Sequence, residues 1–282
     1  MVLAKYLRPS AYRAFGLRKF VELRFTVPVS LEDEQSEQRA HFRDLGLDLD
    51  RGLEFLDDTL RAMGQPRFND GDGMASQHWP LFAAIALGGE VHSVLEIGTY
   101  DAGTTALLAR LFTSAAIVTI DLPDDSIHFV TSYGRENESM RRDFIARRNA
   151  RLAKESNVHF LQVNSFNAPA HLGERWFDLI WIDGGHDYPV VAWDLFFSFH
   201  HLAEGGWMLA DDVYRHPLAN RFLSSANDTY AAVHYLSQDG TLAPRFIKKR
   251  LAAGRKNLVS EKHILVLRKP ATSWAAVTSA AT

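Results

Sequence analysis

Between residues 93 and 211, short apolar runs rich in β-formers alternate with longer runs of helical spacing, and this alternation constrains the fold more than any other feature. The runs at 93–97, 117–121, 158–163, 179–183 and 207–211 read as strands, with helices at 104–112, 138–154 and 190–202 between them. Strands that are apolar along their whole length and separated by helices imply a parallel sheet covered on both faces. Segments 245–250 and 263–268 pair in this reading as an antiparallel hairpin across a basic linker.

The predicted class is therefore α/β: a Rossmann-like, seven-stranded, mostly parallel sheet with helices on both faces and an N-terminal helical cap. The cap is assigned to residues 1–80 and the sheet domain to 81–270; the small-residue tail 271–282 is expected to fray. Within the cap, Phe42, Leu45, Leu49, Leu53, Leu56 and Leu60 predict one helix over about 40–63, stopped by Gly64 and Pro66. Residues 64–80 read as a loop, and an alanine-rich helix over 81–87 leads into the sheet.

The stretch VLEIGTYDAGTTALLARLF is the most informative. A strand ends at Gly98, which lets backbone and ligand approach closely, and Gly103 is expected to make a tight turn into the helix. Thr104 or Thr105 can cap that helix. Glu96 stands where it could accept hydrogen bonds from an ammonium or a ribose. The next strand ends in Asp121, 23 residues beyond Gly98, where a fold of this kind holds ribose hydroxyls. A dinucleotide site favours three glycines around a pyrophosphate, whereas here a carboxylate precedes the first of two. That carboxylate repels a pyrophosphate and suits a cationic amino-acid moiety, so S-adenosylmethionine fits better than a nicotinamide dinucleotide.

Glu96-Ile97-Gly98 followed by Gly103-Thr104-Thr105 resembles the first motif of class I S-adenosylmethionine-dependent methyltransferases. The likeness covers about residues 80–215 and is greatest to the branch of the catechol and macrolide-sugar O-methyltransferases. Ala102 departs from it, standing where many members have a third glycine. The resemblance implies that Asn164 or Ser165, after the third strand, lies beside the adenine, and that Asp183 also borders the cofactor.

The last two parallel strands end in carboxylates, Asp183 on one and Asp211 with Asp212 on the other. Three carboxylates at one sheet edge repel unless something positive sits among them, and Mg²⁺ is a natural answer because it takes oxygen ligands. An ordinary strand-end turn is the alternative. His186, three residues after Asp183, is an imidazole able to take a hydroxyl proton at neutral pH, with His216 as a competitor. In the resembling enzymes a basic side chain follows the metal aspartate at that spacing. The resemblance thus implies Asp183, Asp211 and Asp212 as metal ligands, with His186 and Asp183 as catalytic residues. The double aspartate favours the sugar-modifying relatives.

The expected function is methyl transfer to a hydroxyl of a small molecule, a sugar or natural product, assisted by a divalent metal. The alternatives are a metal-independent N- or O-methyltransferase and a non-catalytic relative serving as an assembly partner. Acceptor specificity is assigned to the cap, where His78 and Trp79 could close over the cofactor, and to the segment after Asp212, where Tyr214, Arg215 and His216 are contact candidates. Trp181 and Trp193 read as core. A formal net charge of −3 gives no global field to attract nucleic acid, and the runs Arg141-Arg142, Arg147-Arg148 and Lys248-Lys249-Arg250 read as solvated faces. The chain has no cysteine, which excludes thiolate metal sites and a cysteine nucleophile. No apolar run spans a bilayer, and the basic, amphipathic start lacks the core of a signal peptide, so a cytoplasmic enzyme is expected. A homodimer is expected from the resemblance.

Overall fold

The computed structural model describes residues 24–72, 75–216, 219, 228–238 and 242–270. The predicted tail at 271–282 and the basic stretch at the start lie outside them, as does much of the segment after Asp212. Nine strands are present among the described residues: β1 (Thr26–Val29), β2 (Ser93–Ile97), β3 (Ala116–Asp121), β4 (Val158–Gln162), β5 (Phe177–Ile182), β6 (Leu202–Tyr214), β7 (Arg245–Lys248), β8 (Gly254–Asn257) and β9 (Lys262–Arg268).

Seven of them form one sheet in the order β4-β3-β2-β5-β6-β9-β7. Strands β2 to β6 pair in parallel, while β9 runs antiparallel to β6 and β7. The hairpin of β7 and β9 forms as the sequence predicts, and the linker between them carries β8, which pairs with β1 as a separate antiparallel ribbon. Chain direction along the sheet reverses between β2 and β5, and such a switch point opens a crevice at the carboxyl ends of the strands.

Both faces are covered. One core holds Val94, Leu107, Trp181 and Leu209 from the sheet side, together with Phe42, Leu56, Leu60 and Phe82 from the N-terminal helices. The other holds Leu95, Ile97, Ile180, Met208, Val191 and Leu195. The helices are α1 (Leu31–Asp44), α2 (Leu49–Ala62), α3 (His78–Gly88), α4 (Gly103–Leu111), α5 (Glu138–Leu152), α6 (Val190–His200) and α7 (Asp228–Leu236), with shorter helical turns between some of them.

The single helix expected over 40–63 is two. Gly46 takes a left-handed φ of 74°, which ends α1, and the Asp48 side chain caps α2 by accepting from the Arg51 amide. Apolar periodicity runs through the break because both helices bury the same face. Gly52 lets α2 seat on α3, since a Cβ there would lie 3.0 Å from the Ala84 Cβ. No described helix is long and apolar enough to cross a membrane.

Candidate active site

The turn after β2 is built differently from its sequence reading. Positive φ falls on Tyr100 (47°) and Ala102 (62°), not on Gly103. Helix α4 therefore starts at Gly103, whose amide is taken by the Asp101 carboxylate at 2.9 Å, and neither Thr104 nor Thr105 is its cap. Gly98 (φ 104°) is required by close approach across the switch point, because a Cβ there would stand 2.3 Å from the Asp183 carbonyl oxygen.

Glu96 is wholly buried. Alternation along β2 puts it on the face with Val94, beneath α4, where Thr105 and Thr119 donate to its Oε2 at 2.5 and 2.6 Å. Thr119 has one hydroxyl proton and spends it on Glu96, so Thr99 is the donor in the 2.6 Å contact between the two threonines. Glu96 and Thr105 thus brace the turn. Burial drives the Glu96 carboxyl up to about 7 against these hydrogen bonds, and its Oε1 has no partner among the described residues.

Asp121 ends β3 as predicted and faces the same edge. It accepts from the amides of Tyr100 and Leu122, both at 2.7 Å, which leaves lone pairs free for hydroxyl groups. Burial raises its carboxyl above the usual range. Beside it stand residues that the sequence reading missed. Tyr100 and Tyr133 are exposed aromatics 5.3 Å apart, and the buried Arg135 guanidinium lies 4.0 Å over the Phe129 ring. Nothing in their spacing marks them, since Tyr100 comes from the turn after β2 and Tyr133 and Arg135 from the segment after β3. Asn164 follows β4 and accepts from the Phe166 amide at 3.0 Å, while Ser165 is buried with its carbonyl bound by Trp193 Nε1 at 2.9 Å.

Across the switch point, Asp183 follows β5 and His186 lies on its loop. The imidazole Nε2 is 3.8 Å from Asp183 Oδ1 and 3.7 Å from Asp212 Oδ2. Burial lowers the pKa of His186 against the pull of Asp212 and Asp211, so the ring is neutral at neutral pH. Burial and the Asp211 carboxylate both push the Asp183 carboxyl well up.

Asp211 and Asp212 do not end a strand. Strand β6 continues to Tyr214, and its register against β9 shifts between Ala210 and Val213. Asp212 has a φ of 57° there, and such a bulge turns neighbouring side chains the same way. Lys249 Nζ bridges them, donating to Asp211 Oδ2 and, at 2.5 Å, to Asp212 Oδ1, while Lys262 Nζ reaches Asp212 Oδ2 at 2.5 Å. Burial opposes charge on Asp212, yet the two lysines outweigh it and hold its carboxyl below the usual range. With ammonium groups on these oxygens, the acids do not fit Mg²⁺ as they stand. Among the described residues no group of three or more His, Cys, Asp or Glu side chains is set to hold a metal. The lysine-rich run is correspondingly no solvated face: Lys248 and Lys249 are both buried in ion pairs. Arg148, also read as solvated, is fully buried and holds Asp124 through two hydrogen bonds at 2.7 and 2.8 Å.

A cleft of about 830 Å³ lies between the N-terminal helices and the sheet edge, bordered by Thr104, Asp183, Asp211 and Lys249. His78 and Trp79 line it from the cap. His78 stacks on the buried Trp181 at 5.0 Å, shares a 2.6 Å hydrogen bond with Ser76 through Nδ1, and is pushed by burial down to about 4. Asp121, Asn164 and Ser165 are not part of this cleft, which is also walled by α4 and the end of α5 through Gly103, Leu107, Arg110 and Arg151. Tyr214, Arg215 and His216 pack instead on Lys262, Phe246 and Phe25.

A doubly wound sheet with a glycine turn after its first parallel strand, an acid ending the next, and an imidazole across the switch point is an arrangement able to hold a nucleotide cofactor at the carboxyl edge of the strands. Residues 95–213 match a family model described as a methyltransferase domain. No curated protein matches the chain in sequence. Among solved structures, the O-methyltransferase TomG from Streptomyces achromogenes, in complex with S-adenosylmethionine, is 17% identical over 82% of this chain and 95% of its own, with a TM-score of 0.49. The N-methyltransferase NodS from Bradyrhizobium japonicum, with S-adenosylhomocysteine, is 16% identical over 78% and 99%, with a TM-score of 0.48. An O-methyltransferase from Bacillus cereus is 17% identical over 77% and 91%, with a TM-score of 0.45.

Proposed function

We propose that this enzyme methylates a hydroxyl group of a small-molecule acceptor, a sugar or natural product, with His186 as the general base. The observation that carries the reading is the neutral, partly exposed imidazole at the switch point, flanked by Asp183 and Asp212 at 3.8 and 3.7 Å. Asp183 also borders the 830 Å³ cleft.

When bound, S-adenosylmethionine supplies an electrophilic sulfonium methyl to the acceptor oxygen. In this reading Asp121 holds the ribose hydroxyls, Asn164 and Ser165 flank the adenine, and the Gly98 turn and Thr104 border the methionine end. Glu96 and Thr105 act one layer below, fixing the turn. His186 Nε2 takes the hydroxyl proton, and the imidazolium so formed is stabilised by the carboxylates beside it. The divalent cation expected from the sequence has no step here, because Lys249 and Lys262 already hold the oxygens of Asp211 and Asp212. A cytoplasmic setting and a homodimer belong to the same proposal.

The test is methyl transfer from labelled cofactor to a panel of hydroxylated and amino acceptors. Replacing His186 by Ala is expected to lower kcat by about 10²–10⁴-fold, the usual worth of a positioned base, and to leave adenosylhomocysteine affinity unchanged. Transfer to amines alone, or an undiminished rate in the variant, contradicts the proposal.

A further inference from the structure

We propose that Lys249 is a built-in cation standing where the acidic pattern calls for a divalent metal, so that the Asp211–Asp212 pair is closed to Mg²⁺ in the native enzyme. The inference deepens the methyl-transfer reading, but its metal test stands apart from that reading.

The bulge in β6 turns Asp211 and Asp212 toward one point, and three of their four carboxylate oxygens meet an ammonium group there. The fourth, Asp211 Oδ1, has no partner among the described residues. Two lysines stand against these two aspartates, while burial and Asp211 push the carboxyl of the neighbouring Asp183 well up. Asp211 is 3% and Lys249 7% exposed, so the pair sits away from water, where an uncompensated charge of either sign is costly.

The lysine is also anchored from behind. Its amide donates to the Lys262 carbonyl at 2.9 Å, and its carbonyl accepts from the Gln77 amide at 2.8 Å. Pairing of β7 with β9 thus delivers Lys249 and Lys262 to the bulge together, as part of the sheet rather than as mobile surface groups. For Mg²⁺ to bind, its oxygens must come to about 2.1 Å, which requires the Lys249 ammonium to leave. Lys249 is in this account a positioning residue, holding Asp212 at the distance from which it flanks His186.

The experiment is calorimetric titration of Mn²⁺ into metal-free wild-type, Lys249→Ala and Lys249→Arg proteins, each checked for folding by circular dichroism. Wild type and Lys249→Arg are expected to bind no Mn²⁺. Lys249→Ala frees the carboxylate pair and is expected to bind at least about tenfold more tightly than wild type, in the weak range of sites with few charged ligands. Wild-type binding that disappears in Asp212→Asn overturns the inference, as does a folded Lys249→Ala protein that gains none. If Lys249→Ala does not fold, the wild-type and Asp212→Asn titrations decide alone. Adenosylhomocysteine is titrated in parallel in EDTA: loss of that signal strikes the methyltransferase reading and leaves the metal result untouched.

Discussion

Glu96 lies wholly buried beneath α4, held by two threonines. Its carboxyl rises from 4.5 to about 7 on burial, against the hydrogen bonds from Thr105 and Thr119. A carboxyl of raised pKa binds its proton better folded than unfolded. Its contribution to stability is therefore complete below about 4.5 and is lost as the pH rises through about 7. Glu96→Gln keeps an acceptor for both threonines and removes the titration. Urea midpoints across this range should fall with rising pH more steeply in wild type than in the variant, and parallel profiles contradict the assignment. Gly98→Ala is expected to cost about 3 kcal/mol or more, because the new methyl meets backbone rather than a side chain that can move. A thermal unfolding curve unchanged by that substitution contradicts the close approach. The motif was legible at Gly98 and Asp121, whose place depends on strand ends alone. Glu96 and Thr105 were placed, but the hydrogen bond between them was not legible, since it depends on which strand face lies under α4.

At the scale of elements, strands β2 to β5 were legible to within a residue or two at each end, because full apolar runs punctuated by glycine and aspartate leave little freedom. The β6 bulge and the break at Gly46 were not, for each interrupts a pattern whose buried face continues on both sides. Nor were the buried lysines, since their partners lie dozens of residues away. Lys248 binds Glu34 of α1 at 2.7 Å and also Glu37, while Lys256 reaches Glu34 at 2.9 Å and Glu261 at 2.8 Å. Burial works against the Glu34 carboxylate, and the two ammonium groups still bring its pKa below the usual range. This network ties the first cap helix to the edge of the sheet. Lys248→Ala leaves Glu34 with less compensation where both partners are 3–4% exposed, so it should cost about 3–5 kcal/mol of unfolding free energy. Arg39→Ala, which removes an exposed pair with Asp50, should cost under about 1 kcal/mol. Equal losses in urea titrations of the two variants contradict the structural role of the network.

The whole molecule joins a cap and a doubly wound sheet through one core, with the cleft left between them at the strand ends. Sheet class and cover on both faces followed from the alternation of the sequence. The cleft did not, because its walls come from α2, the loop before α3, and the hairpin of β7 and β9. In the proposed reading, Asp121 and the Gly98 turn on one side of the switch point hold the cofactor, and His186 on the other takes the acceptor proton. The most direct measurement is calorimetric titration of adenosylhomocysteine into the wild-type protein and Asp121→Ala, both without divalent metal. One site per chain is expected in wild type, weakened about tenfold or more in the variant by loss of hydrogen bonds to a charged acceptor. A well-folded wild-type sample that gives neither heat nor a thermal shift, or a variant that binds as tightly, contradicts the account.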